Sequence, residues 1–254
     1  MLEISGITVA FGGLTALRDF DLRVGSGELV GIIGPNGAGK STAFNAITGI
    51  HAPSQGDIRF EGESLLGRHP FEVTRRGIAR TFQNVRLFDE LSVLENVEVA
   101  IHGRRGYGLW DALFRTRRFG AGERAITEEA MDHLRALGLF TRRTEPAGSL
   151  PYGEQRRLEI ARALAAQPRL LLLDEPAAGM NPAEIEEMMQ LIHGIRERFD
   201  LAVLVIEHHM QFVMGICERI AVLDFGVKIA EGTPKEVQRN PLVLQAYLGE
   251  PLEA

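Results

Sequence analysis

The stretch Ile32 to Thr42, IIGPNGAGKST, decides the fold. It sets Gly34, Gly39, Lys40 and Ser41 in the spacing G-x-x-x-x-G-K-[ST]. An apolar run leads into it and a helical pattern opens at Lys40, so a strand should enter the loop and a helix should leave it. Glycines let backbone N–H groups approach an anion without a Cβ in the way, and the helix start adds the positive end of its dipole. The run Gly34, Pro35, Asn36, Gly37, Ala38, Gly39, Lys40, Ser41 and Thr42 therefore reads as a cradle for phosphate oxygens. Lys40 supplies a point charge to β- and γ-phosphates, and the Ser41 hydroxyl can ligate Mg²⁺. A glycine-rich turn without function would meet these positions, between a strand and a helix, only rarely by chance.

A second stretch, RLLLLDEP from Arg169 to Pro176, is an apolar strand ending in two acids. Ligands of parallel sheets bind at the carboxyl ends of strands, so this pair is expected beside the phosphate loop. There Asp174 can complete a Mg²⁺ shell, and Glu175 can orient or deprotonate a water aimed at the γ-phosphate. The plain alternative is a strand exit with solvated acids.

Working outward, 254 residues at 45% hydrophobic can bury a full core as one large domain or two small ones. A net charge of −6 gives no global positive field, which argues against nucleic acid as a partner. Cys217, the one cysteine, cannot make an internal disulfide and reads as core filler. Acidic Glu3 stands where a signal peptide would carry positive charge, and no run of 18 apolar residues occurs, so a cytoplasmic protein is expected.

LEISGITVAF, FDLRVGSGELVGIIG and GDIRFEG read as strands, and residues 86–160 read as largely helical around a turn-rich basic segment. Arg104, Arg105, Arg115, Arg117 and Arg118 of that segment face either solvent or an anionic partner. The tail alternates strand and helix through LAVLVIEHH and MQFVMGICE, then closes on RIAVLDFGVKIAEG as a hairpin, a pattern for a parallel sheet covered by helices. His208 and His209, taken as neighbours on a strand, should point to opposite faces and make a poor chelate. LDFG, without an HRD partner, is a turn and not a kinase motif.

With SLPYGEQRRLEIARAL, Ser149 to Leu164, added to these elements, essentially the whole chain resembles the ATPase subunit of an ABC transporter. The resemblance implies an α/β fold: a P-loop NTPase whose RecA-like parallel-sheet core carries an N-terminal antiparallel β subdomain and an inserted helical subdomain. It implies one domain over residues 1–254, with the core at 1–85 and 161–254 and the helical subdomain at 86–160. In that family two ATPases pair head to tail, and a signature loop closes over the ATP of the partner subunit. Here Tyr152, Gly153, Glu154 and Gln155 stand in that loop. Phe11 matches the aromatic that stacks on adenine, or is simply a packed strand residue. Gln83 matches the glutamine that touches Mg²⁺ and the attacking water, and His208 the histidine that contacts the γ-phosphate. ATP and Mg²⁺ follow as ligands. The partners implied are a like or paralogous ATPase, membrane permease subunits and, indirectly, a solute-binding protein, with the ATPase peripheral on the inner membrane face.

GIARTFQNVRLFDELSVLENV, DEPAAGMNP, IEHHMQFVMGICERIAVLDFG and NPLVLQAYLGE look in particular like ATPases of branched-chain amino-acid importers. Importers of urea or another small solute and lipopolysaccharide exporters are the alternatives of similar build, and a soluble, non-transport ABC ATPase is the alternative from another class. Two departures stand out. Pro151 replaces the signature serine, removing a hydroxyl and an N–H, which predicts weaker or slower closure at about 1.5–3 kcal/mol for a lost hydrogen bond to a charged acceptor. Asn181 replaces an aspartate and reads as a trait of this branch.

Overall fold

The computed structural model describes residues 1–104 and 117–248. The chain runs β1 (Leu2–Phe11), β2 (Leu14–Val24), β3 (Leu29–Ile33), α1 (Lys40–Ile47), β4 (Gln55–Phe60), β5 (Glu63–Ser64), α2 (Pro70–Arg75) and β6 (Ile78–Arg80). Three longer helices follow: α3 (Val93–Arg104), α4 (Arg117–Ala136) and α5 (Tyr152–Ala165). The last third is β7 (Leu170–Asp174), α6 (Pro182–Phe199), β8 (Ala202–Ile206), α7 (Met210–Ile216), β9 (Arg219–Asp224), β10 (Val227–Gly232), α8 (Pro234–Gln238) and α9 (Pro241–Leu248). Two compact units result, Met1–Gln83 with Arg169–Ala254, and Asn84–Pro168, so α5 falls whole within the second. Of the basic segment, Arg105 and Arg115 lie outside the described residues, as do the side chains of Arg117 and Arg118.

Two sheets build the first unit. β2-β1-β4-β5 is antiparallel, and β10-β9-β3-β8-β7-β6 is parallel except for the β9–β10 hairpin. The sequence explains the difference. LVGII, LLLLD and AVLVI are continuous and wholly buried, as strands covered on both faces must be. β1 and β2 alternate buried and open positions, so one face turns inward. Leu2, Ile4, Phe20 and Leu22 from that face share one core with Phe44 and Ile47 of α1 and with Ile32, Leu172 and Leu204 of the parallel sheet.

The stretch expected as one strand, FDLRVGSGELVGIIG, divides at Gly25–Gly27, where the Glu28 carboxylate accepts the Gly25 amide at 2.7 Å. That turn sends β2 to one sheet and β3 to the centre of the other. LAVLVIEHH also stops early, at Ile206. Cys217 is buried against Gly31, where a Cβ would lie 2.9 Å from its sulfur, and desolvation pushes the thiol well above its ordinary range. Asn181 caps α6: its side-chain oxygen accepts the Ala183 and Glu184 amides, and Glu184 accepts the Asn181 amide in return. The cap needs only an acceptor oxygen, which asparagine provides as well as aspartate.

LDFG is the hairpin turn expected, with Asp224 paired to Val227 and positive φ at Phe225 (43°) and Gly226 (81°). The Gly226 amide donates to the Ala38 carbonyl at 3.0 Å, so the turn braces the phosphate loop from behind. Two successive positive φ angles define a turn that favours Asn-Gly. Phe225 is 89% exposed, so its ring regains little by packing. Phe225→Asn should stabilise the protein by about 1 kcal/mol, by relief of left-handed strain, read as a rise of about 2–4 °C in thermal midpoint.

Candidate functional site

β3 delivers the phosphate loop. At Gly34 φ is 150° and a Cβ would lie 2.0 Å from the Leu223 carbonyl oxygen, so a side chain is barred where the loop leaves the sheet. Gly39, at φ 101°, is the N-cap of α1, and the amides from Gly39 to Thr42 have no partner within a helix that starts there. Lys40 is only 6% exposed. Its ammonium folds back into the loop and donates to the carbonyls of Gly34 (2.6 Å) and Pro35 (2.9 Å). Desolvation lowers the Lys40 pKa, and the carboxylates of Glu175 and Asp174 oppose that shift. Asn36, Gly37 and Ser41 are exposed, Pro35 and Thr42 are half-buried, and Ala38 is buried. A buried cation beside helix-start amides that lack helical partners suits a polyphosphate.

The two acids lie one strand away, with β8 between β7 and β3. Asp174 ends β7, where its carboxylate accepts Arg80 Nη2 at 2.8 Å and its amide donates to the Thr81 hydroxyl at 3.2 Å. Arg80 is itself 8% exposed, donates to Asn45 Oδ1 at 2.7 Å and sits over the rings of Phe44 and Phe82. Glu175 turns away from the strand with φ 49°, held by its amide on the Ile206 carbonyl at 2.9 Å. Its two carboxylate oxygens face different partners: Gln83 Nε2 donates to Oε2 at 2.8 Å, and His208 Nδ1 stands 3.6 Å from Oε1. Ser41, Asp174 and Gln83 present only hard oxygen donors, a set that suits Mg²⁺.

The histidines correct an expectation. His208 and His209 do not diverge to opposite faces: their rings are 4.3 Å apart at 35°. The period-two rule lapses because β8 ends at Ile206, before both. Among the described residues, Glu207, His208 and His209 bring ligand atoms within 4.8 Å of one another. Glu207 is nevertheless engaged, accepting four hydrogen bonds from Ala177, His208 and His209.

In the second unit α5 begins at Tyr152 with Pro151 as N-cap, φ −55° and ψ 150°. Proline is sterically at ease there, but its ring offers no acceptor to the first-turn amides. The Gln155 amide donates to the Pro151 carbonyl and its side chain to the Leu150 carbonyl, which fixes the loop onto the helix. The Tyr152 hydroxyl accepts two bonds from buried Arg156, at 2.8 and 3.1 Å, while Glu154 lies 3.4 Å from Arg142. The first-turn amides of Tyr152, Gly153 and Glu154 lack helical partners by position. In the first unit, Phe11 is 44% exposed and its ring meets that of His51 at 4.9 Å, with planes at 75°.

Sequence reasoning missed Arg80, Glu207, His51 and Tyr247. Desolvation raises the Tyr247 pKa to about 12, opposed by the Gly34 backbone. Arg80 had a signal, a lone cation in the short strand three residues before Gln83.

A phosphate loop and a strand-end acid pair on a parallel sheet, an antiparallel sheet before them and a helical unit within the chain define an ATP-binding cassette, an ATPase. The family model for the ABC transporter matches residues 17–178, and that for the branched-chain amino acid ATP-binding cassette transporter matches residues 227–253. The chain is 45% identical to the high-affinity branched-chain amino acid transport ATP-binding protein BraF of Pseudomonas aeruginosa and 43% identical to LivG of Escherichia coli K12, over 98% of each chain. Identity to the lipopolysaccharide export ATP-binding protein LptB of Acidithiobacillus ferridurans is 34%, over 98% of this chain and 97% of that one. Among solved structures, the ADP conformation of MJ1267, an ATP-binding cassette of an ABC transporter, superposes with a TM-score of 0.85 at 32% identity, covering 98% and 99% of the two chains. The dimeric structure of MJ0796, a bacterial ABC transporter cassette, gives 0.76 at 28%, covering 92% and 99%. The chain belongs to the ABC transporter family, as one of its ATP-binding subunits.

Removing one member of a buried ion pair leaves the other's charge less compensated. Arg80→Met should destabilise the nucleotide-free protein by about 3–5 kcal/mol, measured by denaturant unfolding; a loss below about 1 kcal/mol, the scale of a surface pair, would contradict the assigned burial.

Proposed function

We propose that this ATPase drives an importer of branched-chain amino acids. Identity to the branched-chain ATP-binding proteins exceeds that to the lipopolysaccharide export protein by 45% to 34%, and the family model for the branched-chain transporters matches the closing residues 227–253. Two cassettes, alike or paralogous, pair head to tail so that the LPYGEQ loop of each meets ATP on the phosphate loop of the other. They act on separate permease subunits served by a solute-binding protein, and so lie peripherally on the inner membrane face. No described helix is long and apolar enough to cross a membrane.

The observation that carries the hydrolytic part of this reading is Glu175, set between Gln83 and His208 at a strand end whose carboxylates also act on Lys40. In the proposed reaction Glu175 takes a proton from the attacking water, and Gln83 keeps that carboxylate aimed. Lys40 and His208 donate to γ-phosphate oxygens, while the loop from Gly34 to Thr42 holds the remaining phosphates through backbone amides. Ser41, Asp174 and Gln83 would hold Mg²⁺, which when bound neutralises charge on the β- and γ-phosphate oxygens. Asp174 is kept ready for this by Arg80. Phe11 receives the adenine ring. Across the dimer, Tyr152, Gly153 and Glu154 offer helix-start amides to the γ-phosphate, with Gln155 fixing the loop. Pro151 leaves that amide set one donor short.

Glu175→Gln should keep ATP binding and lose about 10²–10⁴-fold in turnover, the usual contribution of a general base; wild-type turnover would refute the assignment. In proteoliposomes with its permease and binding protein, ATPase activity should rise with leucine-, isoleucine- or valine-loaded binding protein. Stimulation by urea instead would overturn the substrate class.

A further inference from the structure

β7 and β8 pair in register up to Asp174 and Ile206, and the last backbone bond between them is the Glu175 amide on the Ile206 carbonyl. Beyond that point the two segments part. Glu175 turns through its left-handed conformation into the loop that leads to Asn181, and residues 207–209 lead into α7. The amides of Ala177, His208 and His209 thus fall past the end of the ladder, in a region where an unpaired N–H is costly.

Glu207 satisfies all three. It is wholly buried. Its Oε1 accepts the Ala177 amide at 2.8 Å, while Oε2 accepts the His208 amide at 2.8 Å, the His209 amide at 3.0 Å and His209 Nδ1 at 3.0 Å. A carboxylate has about four lone-pair positions, two on each oxygen, so Oε2 is fully used by its three donors while Oε1 takes one. A buried charge is expensive unless fully hydrogen-bonded, and here the bonds are charge-assisted. One side chain therefore extends the pairing of β7 and β8 beyond their backbone ladder, with each oxygen serving a different loop.

The two loops carry the groups assigned to hydrolysis. Ala177 is two residues after Glu175, His208 is next to Glu207, and the Glu175–His208 approach of 3.6 Å is bounded by these anchors. We propose that Glu207 is a positioning residue for ATP hydrolysis: its carboxylate clamps the loop after Glu175 to the loop bearing His208 and so sets their separation. This rests on the roles proposed above for Glu175 and His208. Glu207 itself faces loop amides and not the phosphate loop. His209 serves as the fourth donor of the clamp, so the Glu-His-His cluster is engaged as a hydrogen-bonded turn.

Glu207→Gln tests this, because it keeps the shape but turns an NH₂ group toward one of the two donor sets. Steady-state ATPase and fluorescent-ATP binding of the full chain should show kcat lowered about 10–100-fold, as for a misplacement near 1 Å, with KM and ATP affinity within about twofold of wild type. Unchanged kcat, or kcat and ATP affinity lost together, would overturn the proposal. Glu207→Asp, too short to span both loops, should show the same split to a smaller degree, and it decides the matter by the same criteria if the glutamine variant does not fold. The Glu175→Gln,Glu207→Gln double variant should lose less than the product of the two single losses, since the clamp acts in part through Glu175. Full turnover in Glu175→Gln would refute the hydrolysis reading whatever Glu207 does. A slow Glu175→Gln beside a fully active Glu207→Gln would refute only the clamp.

Discussion

A lysine ammonium enclosed by the carbonyls of its own loop is the constraint around which the first unit is arranged. Lys40 donates to Gly34 and Pro35, which curls the loop tightly enough that Gly34 admits no side chain against Leu223. The β9–β10 turn backs the loop through Gly226 and Ala38. Such a buried cation is tolerable only near negative charge, and Asp174 and Glu175 provide it from the end of β7. Strand order follows the same need: β3, β8 and β7 stand side by side, so loop, histidine and acids emerge at one edge of one sheet.

The acids in turn are held by side chains rather than by solvent. Asp174 has Arg80 and Thr81, Glu175 has Gln83 and His208, and Glu207 has three loop amides and His209. β6 and the residues just after it supply three of these partners, which makes a three-residue strand at the sheet edge more consequential than its length suggests. Glu175 keeps a left-handed backbone that a bulky residue adopts only under constraint. The constraint is visible in the Ile206 carbonyl on one side and the Glu207 clamp on the other.

Much of this was legible in the sequence itself. IIGPNGAGKST between an apolar run and a helical pattern announces strand, loop and helix, because glycine and lysine positions in that motif have few other uses. RLLLLDEP announces a buried strand with acids at its end for the same local reason. The GSG turn between β2 and β3 is less legible, since apolar residues continue on both sides and only pairing with two different sheets separates them. The histidine pair defeats a local reading because alternation holds only up to the true end of β8, which the residues around it do not mark.

Local order along the sequence determined the loop, the acid pair, the strand and helix alternation and the start of α5 at Pro151, since each depends on residues within a few positions of one another. Tertiary structure alone decided that Arg80 pairs with Asp174, 94 positions away, and that Glu207 reaches back 30 positions to Ala177. Those partnerships are set by which strands lie side by side and where their ladders stop, and no spacing in the sequence encodes that.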